Sequence, residues 1–334
     1  MINNYPKVSI IILNWNGFDD SINCLNSLKI ISYPNFNIIL VDNGSENNEG
    51  PRLKEKYGSF IHLIATNSNL GFGAGNNVGI RFAIQNGCDY ILLLNNDTIV
   101  TDNFLNRLVE IAGQEFNLGA VGPKLIAEDG RIQLDSVARF PTLIDQFYLW
   151  SFLYPIGRYL FRQKLFIPKY LMLDFDRESQ KSVDMICGAC MLLPSKTLNQ
   201  IGLFDENFFL FAEDMDLCYR IKTAGFNIVY TPRSVVTHLK NKSVNKLSTK
   251  HFVVVPLNTY LFYTKHFSQS TATKFKIIVL IFIITQLIFW AIKNLINEPR
   301  FVNLINILRV FKKVIIQLTA WESTDDNRRY QLSK

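Results

Sequence analysis

Short continuous apolar runs, separated by polar turns, dominate the first hundred residues. Val8–Leu13 reads VSIIIL, Phe36–Val41 reads FNIILV and Tyr90–Leu94 reads YILLL. Runs of this kind, without alternation, predict strands buried on both faces. Phe60–Ala65 predicts another strand. Asp19–Lys29 and Gly75–Asn86 carry helical spacing. The first is expected to be capped by Asp19 or Asp20; the second follows the glycine-rich stretch Gly71-Phe72-Gly73-Ala74-Gly75. This βαβ rhythm predicts an α/β fold, a mostly parallel sheet with helices on both faces.

The rhythm continues less regularly. Phe104–Ala112 and Asp214–Ala224 predict helices, and Ala120–Ile126 and Phe226–Tyr230 predict strands. Sheet character returns near Val183 after residues 136–176, which are rich in aromatics. Near the C-terminus, Ile277–Ile292 is the most apolar run, 16 residues long. That is about 24 Å of helix, short of a hydrocarbon core of about 30 Å. In Phe301–Leu318 the polar residues Asn303, Asn306, Arg309, Lys312, Lys313 and Gln317 recur every three or four positions. That spacing predicts a basic amphipathic helix lying in a membrane interface, the alternative being a helix packed on the rest of the protein or on a second copy of the chain.

Composition sharpens this picture. The chain has 334 residues, 48% hydrophobic and 19% charged, which excludes a disordered or low-complexity protein. Five cysteines exclude a disulfide scaffold and fit a reducing compartment. The net charge is +7, but Thr231–Lys313 alone holds 13 Lys and Arg against the single acid Glu298. Basic and apolar residues together point to an anionic membrane surface rather than to nucleic acid. Met1–Lys7 carries one late charge and Val8–Leu13 is too short for an h-region, so no secretory leader is expected.

Candidate chemistry falls at the strand ends. Asp42 and Asp97 each follow an apolar run, which puts both carboxylates on one sheet edge. There they can accept hydrogen bonds from a ribose or base, hold a hard cation, or simply cap a turn. Glu213-Asp214-Met215-Asp216 follows Phe208-Phe209-Leu210-Phe211. Acids beside aromatics are partly desolvated, which raises the carboxyl pKa and suits a general base. The plainer alternative, an acidic first helical turn, suits Asp216. The loop Gly71–Gly75 lets the backbone approach a ligand but matches neither the dinucleotide fingerprint nor a P-loop. Cys187-Gly188-Ala189-Cys190 lies inside an apolar run and reads as packing cysteines, and a lone His238 reads as structural.

The order of these motifs resembles the family 2 glycosyltransferases of GT-A fold, most of all their rhamnosyltransferase branch. The series is VSIIILNWNG from Val8, VDNGS from Val41, NSNLGFGAGNN from Asn67, LNNDT from Leu94, GACM from Gly188, GLFDE from Gly202, EDMDLCYR from Glu213, and His238. The resemblance covers about residues 6–240 and implies a GT-A domain over 1–240, with a donor half at 1–100 and an acceptor half at 101–240. A basic, apolar helical region is expected over 241–334. It implies that Asp42, Asn14 and Asn16, together with Asn43, Asn69, Gly71, Asn76, Asn95 and Asn96, bind a nucleotide sugar with a TDP or UDP moiety. Asp97 would ligate Mg2+ or Mn2+. Asn95 stands where the family's Asp-x-Asp motif has its first acid, and His238 compensates as a second ligand. Asp214 would be the general base, with Glu213 next in line. The implied reaction is a metal-dependent, inverting transfer to a glycan or lipid-linked acceptor at the cytoplasmic face of the membrane, in cell-surface polysaccharide synthesis. Two rivals are a nucleotidyltransferase, which would want a basic glycine-rich loop after the first strand, and a non-catalytic membrane-surface module.

Overall fold

The computed structural model describes residues 5–151, 168–239 and 248–296. It divides into two compact units, one of Met1–Phe140 with Leu171–Asn241, the other of Pro141–Tyr170 with Lys242–Lys334.

The first unit is built on one mixed sheet. β1 (Val8–Asn14), β2 (Phe36–Asp42), β3 (Ile61–Ala65) and β4 (Tyr90–Asn95) pair in parallel, in the order β3-β2-β1-β4. Ile10, Ile11 and Ile12 are wholly buried, as the unbroken apolar run requires. Beyond β4 the parallel expectation fails. β10 (Cys190–Pro194) lies antiparallel between β4 and β6 (Leu118–Ile126), and β11 (Asn227–His238) then pairs in parallel with β6. An all-apolar run reports burial on both faces, and β10 is buried along its whole length, but such a run carries no sign of direction. At the sheet's far edge, β5 (Thr98–Val100) pairs antiparallel with β11. β8 (Lys181–Val183) also pairs with β11, while β7 (Val137–Ala138) and β9 (Met185–Ile186) form a small separate ladder.

β11 is longer than the five-residue strand expected at Phe226–Tyr230. It runs through a register shift between Thr231 and Val235, where Pro232 has no N–H to give to the ladder. Past that irregularity the strand resumes and brings His238 opposite Thr98.

The helices α1 (Phe18–Leu28), α2 (Glu49–Tyr57), α3 (Phe72–Gln85), α4 (Phe104–Gln114), α6 (Ser195–Ile201) and α7 (Glu213–Thr223) belong to this unit, and α5 (Leu143–Leu149) to the other. Gly17, without a side-chain bond, is the N-cap of α1; Asp19 and Asp20 sit inside its first turn, where they favour the helix dipole instead of capping. α2 escaped the sequence reading because EGPRLKEKY buries only Leu53 and Tyr57 among its larger apolar side chains. α3 starts three residues earlier than expected, because Gly71 is its N-cap at φ +89°. A methyl group on Gly71 would collide with the Phe209 carbonyl, which already accepts a hydrogen bond from Phe72 N at 2.8 Å. The glycine-rich stretch thus fastens α3 to the segment preceding α7.

In the second unit, α8 (Ser248–His266) and α9 (Gln269–Ile296) pack with α5 around Leu257, Tyr260, Tyr263, Ala272, Phe275, Val279 and Ile283, against which Leu143 and Trp150 lie. α5 starts with a capping box between Thr142 and Asp145. α9 contains the apolar run Ile277–Ile292. Among the described residues no helix is long and apolar enough to cross a membrane. The segment Phe301–Leu318 lies outside the described residues.

The Gly71 close approach predicts a specific cost. Gly71→Ala should lower stability by at least about 1–3 kcal/mol from backbone strain alone. A thermal melt should show a drop of several degrees, whereas Gly87→Ala, at φ +68° but with open space around it, should lose less.

Candidate active site

The carboxyl ends of β1, β2 and β4 are tied by a lattice of buried amides. Asn14 Nδ2 donates to Ser45 Oγ and to Glu49 Oε2, both at 3.0 Å, and Asn14 Oδ1 accepts from Ser21 Oγ at 2.7 Å. Asn96 Nδ2 joins the same lattice through Ser21 Oγ at 3.1 Å and Asn14 Oδ1 at 3.3 Å. Asn16, at φ +51°, accepts from Glu46 N at 2.8 Å. Asn43 donates to Asn69 Oδ1 at 3.0 Å and to Gly71 O at 3.1 Å, and accepts from Leu70 N at 3.0 Å. Asn76 Nδ2 turns back onto Phe72 O at 3.0 Å. Asn14, Asn16, Asn43, Asn69 and Asn96 are therefore brought to these strand ends, whereas Asn76 bonds back within α3 and Asn95 faces the His238 cluster. Glu49 belongs to the strand-end group too, although it lies on α2, whose sequence carries no apolar pattern to mark it as a helix.

Asp42 is 5% exposed; its two oxygens accept from Ser45 N at 3.2 Å and Gly50 N at 2.9 Å. A carboxylate has about four lone-pair sites, so these two bonds leave acceptor capacity unused.

At the end of β4 a second cluster forms. Asp97 Oδ1 lies 3.3 Å from His238 Nε2, and Asn95 Nδ2 lies 3.5 Å from the same nitrogen. The His238–Thr98 register of β11 and β5 produces this pairing. The far side of the ring meets Gln133, which the sequence did not single out. Its Oε1 is 3.0 Å from His238 Nδ1, and its Nε2 donates to the His238 carbonyl at 2.6 Å. Among the described residues no group of three or more His, Cys, Asp or Glu forms a metal site. Asp97 contributes a hard carboxylate oxygen and His238 an imidazole nitrogen, side by side at the strand end.

The third cluster heads α7. Phe211 and Ala212 both take left-handed backbone, φ +66° and +67°, immediately before Glu213. Two consecutive non-glycine residues in that region store strain, and the turn they make aims the acidic end of α7 back at the sheet edge. Asp214 Oδ2 accepts from Gly188 N at 3.3 Å and Oδ1 from Met215 N at 2.8 Å. Burial raises the Asp214 pKa, and those backbone bonds oppose part of the rise. Glu213 is 5% exposed and its Oε2 has no hydrogen-bond partner. Burial, reinforced by the neighbouring Asp214 charge, holds its carboxyl well above the usual range. Asp216 is more than a helix-dipole acid: it is fully buried and pairs with Arg220 Nε at 2.8 Å. The same guanidinium donates to the Ile201 and Leu203 carbonyls at 3.0 and 2.7 Å, holding the GLFDE segment.

The Cys187–Ala189 loop runs between these clusters. Cys187 N donates to Ser136 O, Asn95 N to Ala189 O, and Gly188 N to Asp214. Cys190 is buried on β10, and burial pushes its thiol up, as a packing cysteine requires.

The mixed α/β sheet thus gathers asparagine, aspartate and histidine side chains at one edge. Residues 6–252 match the glycosyltransferase-like family 2 model; the chain belongs to that family and is a glycosyltransferase. It is similar to the N-acetylglucosaminyl-diphospho-decaprenol L-rhamnosyltransferase of Mycobacterium tuberculosis, 27% identical over 250 residues, covering 71% of this chain and 78% of the relative. The rhamnosyltransferase WbbL of Escherichia coli K12 is 28% identical over 188 residues, covering 54% and 66%. The fold matches the mannosyltransferase PcManGT from Pyrobaculum calidifontis, solved with GDP-Man and Mn2+, at TM-score 0.54 and 12% identity over 96% of this chain and 89% of that one.

The buried Glu213, with one carboxyl oxygen left without a partner, makes stability pH-dependent. A carboxyl whose folded pKa is raised costs nothing below its unfolded pKa, and its cost grows as pH rises toward the folded value. Each unit of elevation is worth about 1.4 kcal/mol. Relative to Glu213→Gln, the wild type should therefore lose stability as pH rises from about 4 to 8. Paired melts across that range test this, and a constant difference would refute it.

Proposed function

We propose that the protein transfers rhamnose from a TDP-sugar, or a related UDP-sugar, to a lipid-linked glycan acceptor, inverting the anomeric carbon, in cell-surface polysaccharide synthesis. The observation that carries this reading is the Cys187–Ala189 loop, which is bonded both to Asn95 beside the Asp97–His238 pair and to Asp214. A cation-binding pair and a carboxylate of raised pKa then serve one reaction. Support for the sugar and the acceptor comes from the rhamnosyltransferase relatives, one of which acts on a decaprenol-linked substrate.

Residues 1–100 would hold the donor, with Asp42 accepting from base and ribose and the asparagine lattice keeping the pocket in shape. Asp97 and His238 would hold Mg2+ or Mn2+, which when bound supplies charge neutralisation for the leaving diphosphate. Asp214 takes the proton from the acceptor hydroxyl as that oxygen attacks, and one displacement inverts the centre. Burial raises both carboxyls, Glu213 with the added charge of Asp214 and Asp214 against two opposing backbone hydrogen bonds, which makes Asp214 the better candidate for the ionised group. The base must be ionised, so activity should fall on the acid side at a pH above the ordinary carboxylate range.

Asp214→Asn keeps the shape and removes proton acceptance. Transfer should drop by roughly 10²–10⁴-fold. Calorimetric binding of TDP-rhamnose with Mn2+ should persist; near wild-type transfer would refute the assignment. Testing UDP-, TDP- and GDP-sugars by thermal shift identifies the donor.

The same reading attaches the protein peripherally to the cytoplasmic face of the membrane, where nucleotide sugars are made. Its support is the exposed stripe Ile277, Ile281 and Ile284 on α9, at 50, 49 and 55% exposure, in the strongly basic C-terminal third. Removing everything from residue 270 would also remove Ala272, Phe275, Val279 and Ile283 from the helical core, so surface substitution is the cleaner test. Ile277, Ile281 and Ile284 changed together to Ser should reduce binding to anionic vesicles by roughly a hundred-fold, about 3 kcal/mol for three half-exposed side chains. Unchanged sedimentation with vesicles would assign the stripe to a protein contact instead.

A further inference from the structure

We propose that Gln133 is a positioning residue: it fixes the tautomer of His238 so that Nε2 presents its lone pair beside Asp97, ready for a divalent cation. The proposal rests on the reading that Asp97 and His238 hold such a cation.

Gln133 is buried, and its Nε2 lies 2.6 Å from the carbonyl oxygen of His238. A carbonyl only accepts, so the NH2 group must face it. The amide oxygen is thereby turned toward His238 Nδ1, 3.0 Å away. An amide oxygen also only accepts, so Nδ1 must carry the proton. In a neutral ring the other nitrogen then has a free lone pair. That nitrogen, Nε2, is 3.3 Å from the Asp97 carboxylate and 3.5 Å from Asn95 Nδ2. Two acceptors facing each other across that distance, with one long amide contact, are incompletely satisfied. A cation between them satisfies both, and metal-binding histidines usually donate their other N–H to such a partner.

The backbone beneath Gln133 is anchored. Gln133 N donates to Leu125 O at 2.9 Å, and Ser136 N donates to Gln133 O at 3.1 Å. The buried Arg177 donates to the next carbonyl, Leu134 O, at 2.8 Å, and also to Leu171, Met172 and Phe175 carbonyls. The loop that presents the amide is therefore held from both sides, and a polar side chain spent wholly on one histidine is explained by what that histidine must do.

Two measurements test this. In ¹⁵N-histidine-labelled wild-type protein at pH 7.5 without metal, ring-nitrogen shifts should show His238 with its proton on Nδ1. The chain has four histidines, and His238→Ala identifies the signal. A proton on Nε2, or on both nitrogens, overturns the proposal, and the tautomer itself is read in the wild-type protein, with no Gln133 variant. Second, Mn2+ binding in the presence of UDP or TDP is followed by the loss of the free-ion electron spin resonance signal. Gln133→Leu should bind Mn2+ roughly 10–100-fold more weakly than wild type, the range seen for partners of metal-binding histidines. If Asp97→Ala and His238→Ala weaken Mn2+ binding but Gln133→Leu does not, the positioning role is wrong and the metal reading stands. If all three variants bind as wild type does, the metal reading fails and takes the proposal with it.

Discussion

The antiparallel insertion of β10 is the constraint on which the site depends. Because β10 runs against β4, its first residue pairs with Leu94 near β4's last residue, and the loop before it reaches the sheet's carboxyl edge. A parallel strand in that place would bring its last residues there instead. The loop then uses three consecutive residues in three directions, Cys187 to Ser136, Gly188 to Asp214, and Ala189 to Asn95. A backbone carries one donor and one acceptor per residue, and buried ones must be paired. Satisfying this short loop therefore fixes the acidic helix end, the Gln133 turn and the end of β4 relative to one another.

Three acids in four residues meet three different fates, and the difference is burial against compensation. Asp216 is fully buried and has a guanidinium, so its charge is matched. Asp214 has two backbone N–H donors and, among the described residues, no ion-pair partner, so its charge is tolerated but its pKa still rises. Glu213 has one orphaned oxygen, and burial with the neighbouring Asp214 charge holds its pKa well above the usual range. Groups placed side by side with separated proton affinities are what acid–base chemistry needs. The strained turn at Phe211 and Ala212 is the cost of holding them at a helix start, where the dipole helps the one that ionises.

Much of this was legible in the sequence, and what was not has physical reasons. Apolar runs located β1, β2 and β4, and the acids following them fell on one edge, because parallel strands must end together. Direction was illegible for β10, since a fully buried strand looks alike from either end. α2 was illegible because a helix covering little core needs little apolar surface, and Glu49 was lost with it. The glycine-rich stretch looked like a ligand cradle, yet at Gly71 the close approach is to Phe209 of the same chain. Gln133 had no signal at all. A lone glutamine in a polar turn becomes meaningful only when β11, resuming past Pro232, lays His238 against it.

The C-terminal helix α9 poses a packing question of a different kind. Ala272, Phe275, Val279 and Ile283 follow a three-to-four-residue stride and fill the core against α8 and α5. Ile277, Ile281 and Ile284 follow the same stride on another face and stay half exposed. A helix serving one core needs one apolar stripe. A second stripe of β-branched residues gains nothing from that core and costs solubility unless a second apolar environment takes it up. A contact between proteins would accept any sign of flanking charge. Under the proposed membrane attachment, the 13 basic residues against one acid across Thr231–Lys313 would face anionic headgroups while the isoleucine stripe enters the apolar layer beneath them, so one bilayer face would satisfy both features.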